Sequence, residues 1–302
     1  MQGKSILVVG YGKLGRRVAH TLSEKHKVLA LKRSPIEPVD KLNMCFADVR
    51  HGDSLKVVLH DHVTRGVDYL IYCLSSSERS EQAYRDAYLI GLKNVLASLP
   101  DAHSLKHIIF ISSTSVYHQE HGEKVNENSP CLPRNFSGKV LLEAESYIKS
   151  LNIASTAIRF SGIYGGSRSR LIDQVKHALE FGEVLVAAPG YTNRIHEDDC
   201  VGFICHLVDL LDNKQALEAC YIGTDSCPVE QAEVYQFIAS QLQDSDGSKQ
   251  TSSVSIETTD SANSKRRAGS KRCQNEGMKQ SAYALKYASY KEGYAAALKA
   301  NK

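Results

Sequence analysis

Six residues near the N-terminus, Gly10-Tyr11-Gly12-Lys13-Leu14-Gly15, carry the most specific chemistry in the sequence. They follow the apolar run Ser5-Ile6-Leu7-Val8-Val9 and open a stretch in which Leu14, Val18 and Leu22 share one helix face. Strand, glycine turn and helix start together make an anion cradle. Gly10 permits the tight turn, Gly12 lets a pyrophosphate approach the backbone, and Gly15 allows close packing of helix on strand. Free amides and the positive end of the helix dipole then hold phosphate, so the turn, including Tyr11, Lys13 and Leu14, reads as a dinucleotide-binding site.

The dinucleotide is selected about twenty residues further on, at the end of the second strand. An acid there accepts from the ribose hydroxyls of NAD, whereas a cation suits the extra phosphate of NADP. The chain reads Leu29-Ala30-Leu31-Lys32-Arg33-Ser34, without an acid. Lys32 and Arg33 therefore point to NADP(H), with NAD as the alternative; the competing reading is two solvated surface cations. Asp48, with Val49, follows the third expected strand and either meets the adenine edge or caps a helix. Cys73, Leu74 and Ser75 end the fourth strand, where they are expected to line the cofactor.

These residues need a scaffold that brings strand ends together. Candidate strands at Ser5–Val9, Lys27–Leu31, Met44–Ala47, Val67–Cys73, His107–Ser112 and Ala154–Phe160 alternate with amphipathic stretches. In one of these, Tyr84, Tyr88, Leu92, Val95 and Leu96 share a face. Regular alternation predicts an α/β fold, a doubly wound parallel sheet of Rossmann type. Residues 1–160 are expected to form this domain and 161–302 a smaller, interwoven substrate-binding region, with one strand near 219–223 returning to the sheet. Ser245 to Ser264 holds seven Ser and three Thr, which predicts a flexible loop over about 243–264. Lys265, Arg266, Arg267, Lys271 and Arg272 follow it, readable as a solvated loop or as a phosphate-binding cluster.

Composition narrows the class. The 302 residues are 42% hydrophobic, with 37 Lys and Arg against 34 Asp and Glu. That balance excludes a mainly disordered chain and does not favour nucleic acid as a partner. No apolar run approaches the roughly twenty residues a membrane span needs. Strand-like sequence begins almost at Met1, so no leader is expected and the protein is placed in the cytoplasm. The 8 Cys show no C-x-x-C pair and the 12 His no H-E-x-x-H; reduced, buried thiols and no metal site are expected.

Taken together, the glycine turn, Ala47-Asp48-Val49, Ile111-Ser112-Ser113-Thr114-Ser115-Val116-Tyr117, Arg159-Phe160-Ser161-Gly162-Ile163-Tyr164-Gly165 and Asn193-Arg194-Ile195-His196-Glu197-Asp198-Asp199 resemble a known pattern. The chain is similar to the extended and atypical short-chain dehydrogenases/reductases, the superfamily of NAD(P)-dependent nucleotide-sugar epimerases and dehydratases. Ser270-Lys271-Arg272 and Tyr290-Lys291-Glu292-Gly293-Tyr294 also resemble the atypical branch. The resemblance implies an NADP(H)-binding oxidoreductase or epimerase/dehydratase with Ser113 on the reacting oxygen. It also implies a substrate region around Tyr164, Arg168, Arg194 and His196. In active relatives a Tyr exchanges the proton and a Lys four residues later stabilises the phenolate. Here the corresponding segment, Pro133 to Glu145, places Ser137 and Leu141 at those positions when anchored on Glu145, or Asn135 at the Tyr position when anchored on Lys139, and neither restores Tyr-x-x-x-Lys.

Three explanations remain open: another group such as Tyr117, Lys139 or His196 substitutes; cofactor and Ser113 suffice; or the protein is a non-catalytic NADP(H)-responsive regulator. The expected partner is a small-molecule substrate, phosphorylated or nucleotide-linked, and a homodimer is compatible with the sequence.

Overall fold

A computed structural model describes residues 3–39, 41–63, 66–100, 104–166, 170–246, 254–259 and 269–300. Elements are numbered in chain order. Seven strands form one parallel sheet: β1 (Ser5–Val9), β2 (Lys27–Lys32), β3 (Asn43–Phe46), β4 (Tyr69–Tyr72), β5 (His107–Ser113), β7 (Ala154–Phe160) and β12 (Cys220–Gly223). Their order is β12-β7-β5-β4-β1-β2-β3. The fold is therefore the Rossmann-type α/β sheet. Ile6, Leu7, Val8 and Val9 are almost wholly buried, as are Leu70, Ile71 and Tyr72 on β4. Strands covered on both faces read as unbroken apolar runs for this reason.

From β1 the chain steps outward through β2 and β3, then returns to place β4, β5 and β7 on the other side of β1. The order reverses between β1 and β4, and the crevice beyond the carboxyl ends of strands at such a reversal is where ligands bind. Helices α1 (Lys13–Ser23), α2 (Gly52–His62), α3 (Glu81–Tyr84), α4 (Gly91–Ala97) and α5 (Phe136–Lys149) link these strands. A π-helical turn, Arg85–Ile90, joins α3 to α4.

The chain divides into two compact units, each assembled from separate segments. The first comprises Met1–Val116, Cys131–Arg159 and Val201–Tyr221; the second comprises Tyr117–Pro130, Phe160–Cys200 and Ile222–Lys302. The division is thus more interleaved than a cut near residue 160, because residues 117–130 belong to the second unit and 201–221 to the first.

The second unit contains four two-stranded pairings. They are β6 (Glu123–Val125) with β15 (Lys271–Cys273), β8 (Gly162–Tyr164) with β11 (Arg194–His196), β9 (Leu185–Ala187) with β14 (Ile256–Thr258), and β10 (Tyr191–Thr192) with β13 (Val229–Glu230). Helices α6 (Arg170–Phe181), α8 (Gln231–Asp246), α9 (Glu276–Gln280) and α10 (Tyr290–Ala300) accompany them, and α7 (Glu197–Asp212) begins here. Val175, Val234, Ile238 and Tyr294 share its apolar core.

The expected loop at 243–264 is partly regular. Gln243 to Asp246 complete α8, and Ile256–Thr258 pairs in parallel with Leu185–Ala187; residues 247–253 and 260–264 lie outside the described residues. Within the basic run, Lys265, Arg266 and Arg267 also lie outside. Lys271 is buried in β15, while Arg272 donates from Nε to the Gly122 carbonyl at 2.6 Å and covers the Tyr191 ring at 5.1 Å.

One buried ion pair ties α5 to the sheet in the first unit. Arg159 on β7 donates from Nη2 to Glu145 Oε2 at 2.6 Å and from Nε to both carboxylate oxygens, and Ser112 donates to Oε1 at 2.5 Å. Removing the cation strands a carboxylate that is only 5% exposed. Arg159→Met is expected to lower unfolding free energy by roughly 3–5 kcal/mol in urea titration. The double change Arg159→Met with Glu145→Leu should recover most of that loss.

Candidate cofactor cleft and the residues around it

The turn after β1 is built on close backbone approach. Gly10 has φ +100°, and a Cβ there would lie 2.7 Å from the backbone of Cys73 and Leu74. Gly15, in the first turn of α1, sits against the Gly10 carbonyl with no room for a side chain. Gly12 differs: a Cβ on it would meet nothing within 4 Å, so its α-carbon faces open space. Gly12 is also the N-cap of α1, and no side chain caps the helix. No capping side chain therefore stands between the start of α1 and a ligand.

That open space is a cleft of about 530 Å³. Gly10, Tyr11 and Gly12 form its floor. Leu31, Lys32, Arg33 and Ser34 form one wall, Ala47, Asp48, Val49 and Arg50 another, and Cys73 to Glu78 with Gln82, Ala83, Asp86 and Ala87 close the rest. Ten residues expected at the cofactor, Gly10, Tyr11, Gly12, Lys32, Arg33, Asp48, Val49, Cys73, Leu74 and Ser75, come together here. Lys13, Leu14 and Gly15 do not line the cleft; Leu14 and Gly15 are buried on the packing face of α1.

Lys32 is half-buried and Arg33 exposed, and neither forms an ion pair with a described residue. Asp48 is held by Arg50, whose Nη2 donates to Oδ2 at 2.7 Å and whose Nε lies 3.1 Å from both oxygens. Hydrogen bonding from this guanidinium, the largest cause, brings the Asp48 carboxyl down to about 2. Asp48 is also no helix N-cap: His51 occupies that position of α2, without a side-chain capping bond. Arg50, Ser76, Ser77, Glu78, Gln82 and Asp86 were not singled out by the sequence. The Asp-x-Arg spacing at 48–50 is the one local signal among them.

With this geometry in view, residues 4–302 match the family model of the RmlD substrate binding domain. The chain belongs to that family. A structure from Methylobacillus flagellatus, described as a candidate NAD-dependent epimerase/dehydratase, is 33% identical and superposes with a TM-score of 0.78 over 99% of this chain and 98% of the other. Protein YeeZ of Escherichia coli K12 is 28% identical over 211 residues, 68% of this chain and 73% of YeeZ. The Bordetella bronchiseptica enzyme WbmG, solved with NAD, shares the fold at 14% identity, with a TM-score of 0.78 over 99% and 94% of the two chains. The wider superfamily is that of NAD-dependent epimerases and dehydratases.

Against the family pattern, the structure locates each candidate catalytic group. Ser113 ends β5, half-buried, and its Oγ accepts the Ser115 amide at 3.2 Å. Ser137 donates to Asn135 Oδ1 at 2.7 Å, at the start of α5. Leu141, which the anchoring on Glu145 sets at the lysine position, is 3% exposed in the apolar core. Lys139 is exposed. Tyr117 is buried, and its phenol donates to the Asn126 carbonyl at 3.0 Å.

Tyr164, Arg194 and His196 are interior residues of the second unit, each under a tenth exposed. Tyr164 stacks on Tyr294 at 4.4 Å and meets the His196 ring edge-on at 5.3 Å. His196 accepts the Asp198 amide at Nδ1, 3.1 Å away. Arg194 donates from Nη2 to Thr192 Oγ1 at 2.8 Å. Arg168 lies outside the described residues. Among the described residues no group of three or more His, Cys, Asp or Glu could hold a metal, and no helix is long and apolar enough to cross a membrane.

Asp225 of the same interior carries no sequence signal. It is 1% exposed; Oδ1 accepts the Cys227 amide at 3.0 Å, whereas Oδ2 has no hydrogen-bond partner among the described residues. Burial pushes its carboxyl from 3.8 up to about 7. The folded chain then keeps a proton that the unfolded chain releases once pH exceeds about 4. The stabilisation from this proton is complete below about pH 4 and is lost as pH rises through about 7. Asp225→Asn should remove that slope and raise the urea midpoint at pH 8, measured against wild type from pH 5 to 8.

Proposed function

We propose that the cleft binds NADP(H) and that the protein is an NAD(P)-dependent oxidoreductase or epimerase/dehydratase acting on a small, phosphorylated or nucleotide-linked substrate in the cytoplasm. The observation that carries the cofactor choice is the end of β2. Lys32 and Arg33 face the cleft, and among the described residues neither has an acidic partner and Leu31 to Ser34 at the end of β2 carry no carboxylate for a ribose 2′-hydroxyl. The extra phosphate would find two cations and the Ser34 hydroxyl there, whereas an acid would repel it.

The glycine turn fits the remainder of a dinucleotide. Gly12 leaves space for a pyrophosphate at the start of α1, where no side chain caps the helix. Ala47 to Val49 wall the adenine end, with the Asp48 carboxylate fixed and ionised by Arg50 as acceptor for an amino group. When bound, the nicotinamide supplies hydride chemistry. Ser113, with its oxygen fixed by the Ser115 amide, is the residue we assign to the reacting oxygen. The name of the Methylobacillus relative and the NAD held by WbmG support the class of cofactor. Among the described residues none of the eight cysteines is joined in a disulfide, in keeping with a reducing compartment.

A second reading, an NADP(H)-responsive binding protein without turnover, is favoured by Leu141, buried where the family keeps its cation. Both readings share the cofactor site, which titration tests directly. NADPH should bind more tightly than NADH, and Lys32→Ala with Arg33→Ala should weaken NADPH by about 10- to 100-fold, the size of one or two charge-assisted hydrogen bonds, while leaving NADH within about threefold. NADH binding as tightly as NADPH to the wild type sinks the NADP assignment. Gly12→Ala is the companion variant: it should fold with an unchanged unfolding midpoint and lose affinity for both dinucleotides, since the added methyl fills only the cleft.

A further inference from the structure

Past the end of β3 the chain turns sharply, and the residue types there set the turn. The Asp48 carbonyl accepts the His51 amide at 3.0 Å, and its side-chain Oδ1 accepts the Arg50 amide at 3.0 Å. An aspartate bonded to the backbone two residues on forms such turns by its own chemistry. Val49, between Asp48 and Arg50, is buried, and its carbonyl accepts from Asn94 Nδ2 at 2.8 Å. The Ala47 amide donates to the Lys32 carbonyl at 3.1 Å. The turn is thereby fixed beside the end of β2, with Arg50 at its exposed corner.

The Arg50 side chain folds back on Asp48, with Nη2 donating to Oδ2 at 2.7 Å and Nε 3.1 Å from both oxygens. Such a two-point contact brings guanidinium and carboxylate close to one plane. The guanidinium is a fixed fork of N–H donors. Asp48 engages Nε and one N–H of Nη2; among the described residues no further hydrogen bond engages Arg50, which leaves its outer edge, Nη1 and the second N–H of Nη2. On the carboxylate, three N–H groups of Arg50 are set against roughly four acceptor sites, so one place remains. Both residues line the cleft. The pair therefore offers an acceptor and, beside it, donors.

We propose that Arg50 makes the cleft select adenine, its outer N–H edge donating to the ring nitrogen N1 while Asp48 accepts from the amino group next to it; the proposal rests on the reading of the cleft as an NADP(H) site. The base is joined to the ribose carbon next to the one that bears the 2′-phosphate. A phosphate on Lys32 and Arg33 therefore puts the base within one sugar of them, and the turn after β3 is the adjoining wall. The edge of adenine farthest from the ribose carries a donor, the amino group, beside an acceptor, N1. Hypoxanthine reverses both, with a carbonyl oxygen in place of the amino group and a hydrogen on N1.

The pair cannot adapt to the reversed pattern. Hydrogen bonding from Arg50 brings the Asp48 carboxyl down to about 2, so at neutral pH it holds no proton to give a carbonyl oxygen. A guanidinium has no acceptor for a ring N–H. The competing role for Arg50 is plain charge, a third cation for the phosphates. Asp48 offsets that charge at 2.7 Å, whereas Lys32 and Arg33 have no acidic partner among the described residues. Lysine separates the two roles, because an ammonium keeps the charge and loses the planar fork.

The experiment titrates the full chain with NADPH and with its deamino analogue, reduced nicotinamide hypoxanthine dinucleotide phosphate, following nicotinamide fluorescence. The wild type should bind NADPH at least about tenfold more tightly than the analogue. Arg50→Lys and Arg50→Met should each weaken NADPH by about tenfold and leave the analogue within about threefold, narrowing the preference. Their unfolding midpoints should stay at the wild-type value, since the ion pair is half in solvent. An Arg50→Lys protein that keeps wild-type affinity for NADPH overturns the proposal in favour of charge. Equal losses for both nucleotides overturn it too. So does a wild type that binds NADPH without preferring it to the analogue, which leaves the cofactor reading standing. A wild type that binds neither nucleotide overturns the cofactor reading itself.

Discussion

The backbone of the first helix touches the backbone of the turn that precedes it. Gly15 rests on the Gly10 carbonyl, and Gly10 is wedged against the backbone of Cys73 and Leu74, so β1, α1 and the end of β4 meet almost backbone to backbone. That contact sets how closely α1 approaches the strand ends at the floor of the cleft. It brings the uncapped amides of α1 level with the strand ends, and it sets the loop after β4, from Cys73 to Glu78, as the wall opposite the cations of β2. A methyl group at either glycine would move the helix away and open the cradle.

Much of this was legible in the sequence because buried parallel strands leave a plain mark. Ser5–Val9 and Ala154–Phe160 are bounded as their apolar runs suggest, and Lys32-Arg33 stands at the strand end where a ligand must pass. Local spacing fails where a wall is assembled from loops. Glu78, Gln82 and Asp86 share a cleft surface with Arg33 and Arg50 only through the sheet order, which no short motif encodes. The π turn is hidden for a related reason. Helical periodicity carries Tyr84 to Tyr88 to Leu92 without a break, and the contact that pulls in the extra residue comes from Tyr72, on a strand well upstream.

The second unit shows the opposite mismatch between residue type and role. Tyr164, Arg194 and His196 are polar or aromatic groups of the kind that line pockets, yet they are interior and pack against Tyr287, Tyr290 and Tyr294 near the end of the chain. Polar interiors of this sort depend on partners about a hundred residues away in sequence. Among the described residues Arg194 and Asp225 each keep one atom without a hydrogen bond, an expensive arrangement in a low-dielectric interior.

The threading of the chain constrains how such a protein can change over evolutionary time. The polypeptide passes between the two units after Val116, Pro130, Arg159, Cys200 and Tyr221. Neither unit is a contiguous stretch of gene, so neither can be exchanged as a cassette or tethered elsewhere by a single fusion point. New specificity has to arise in place, by substitutions and loop-length changes within segments already stitched to the cofactor sheet.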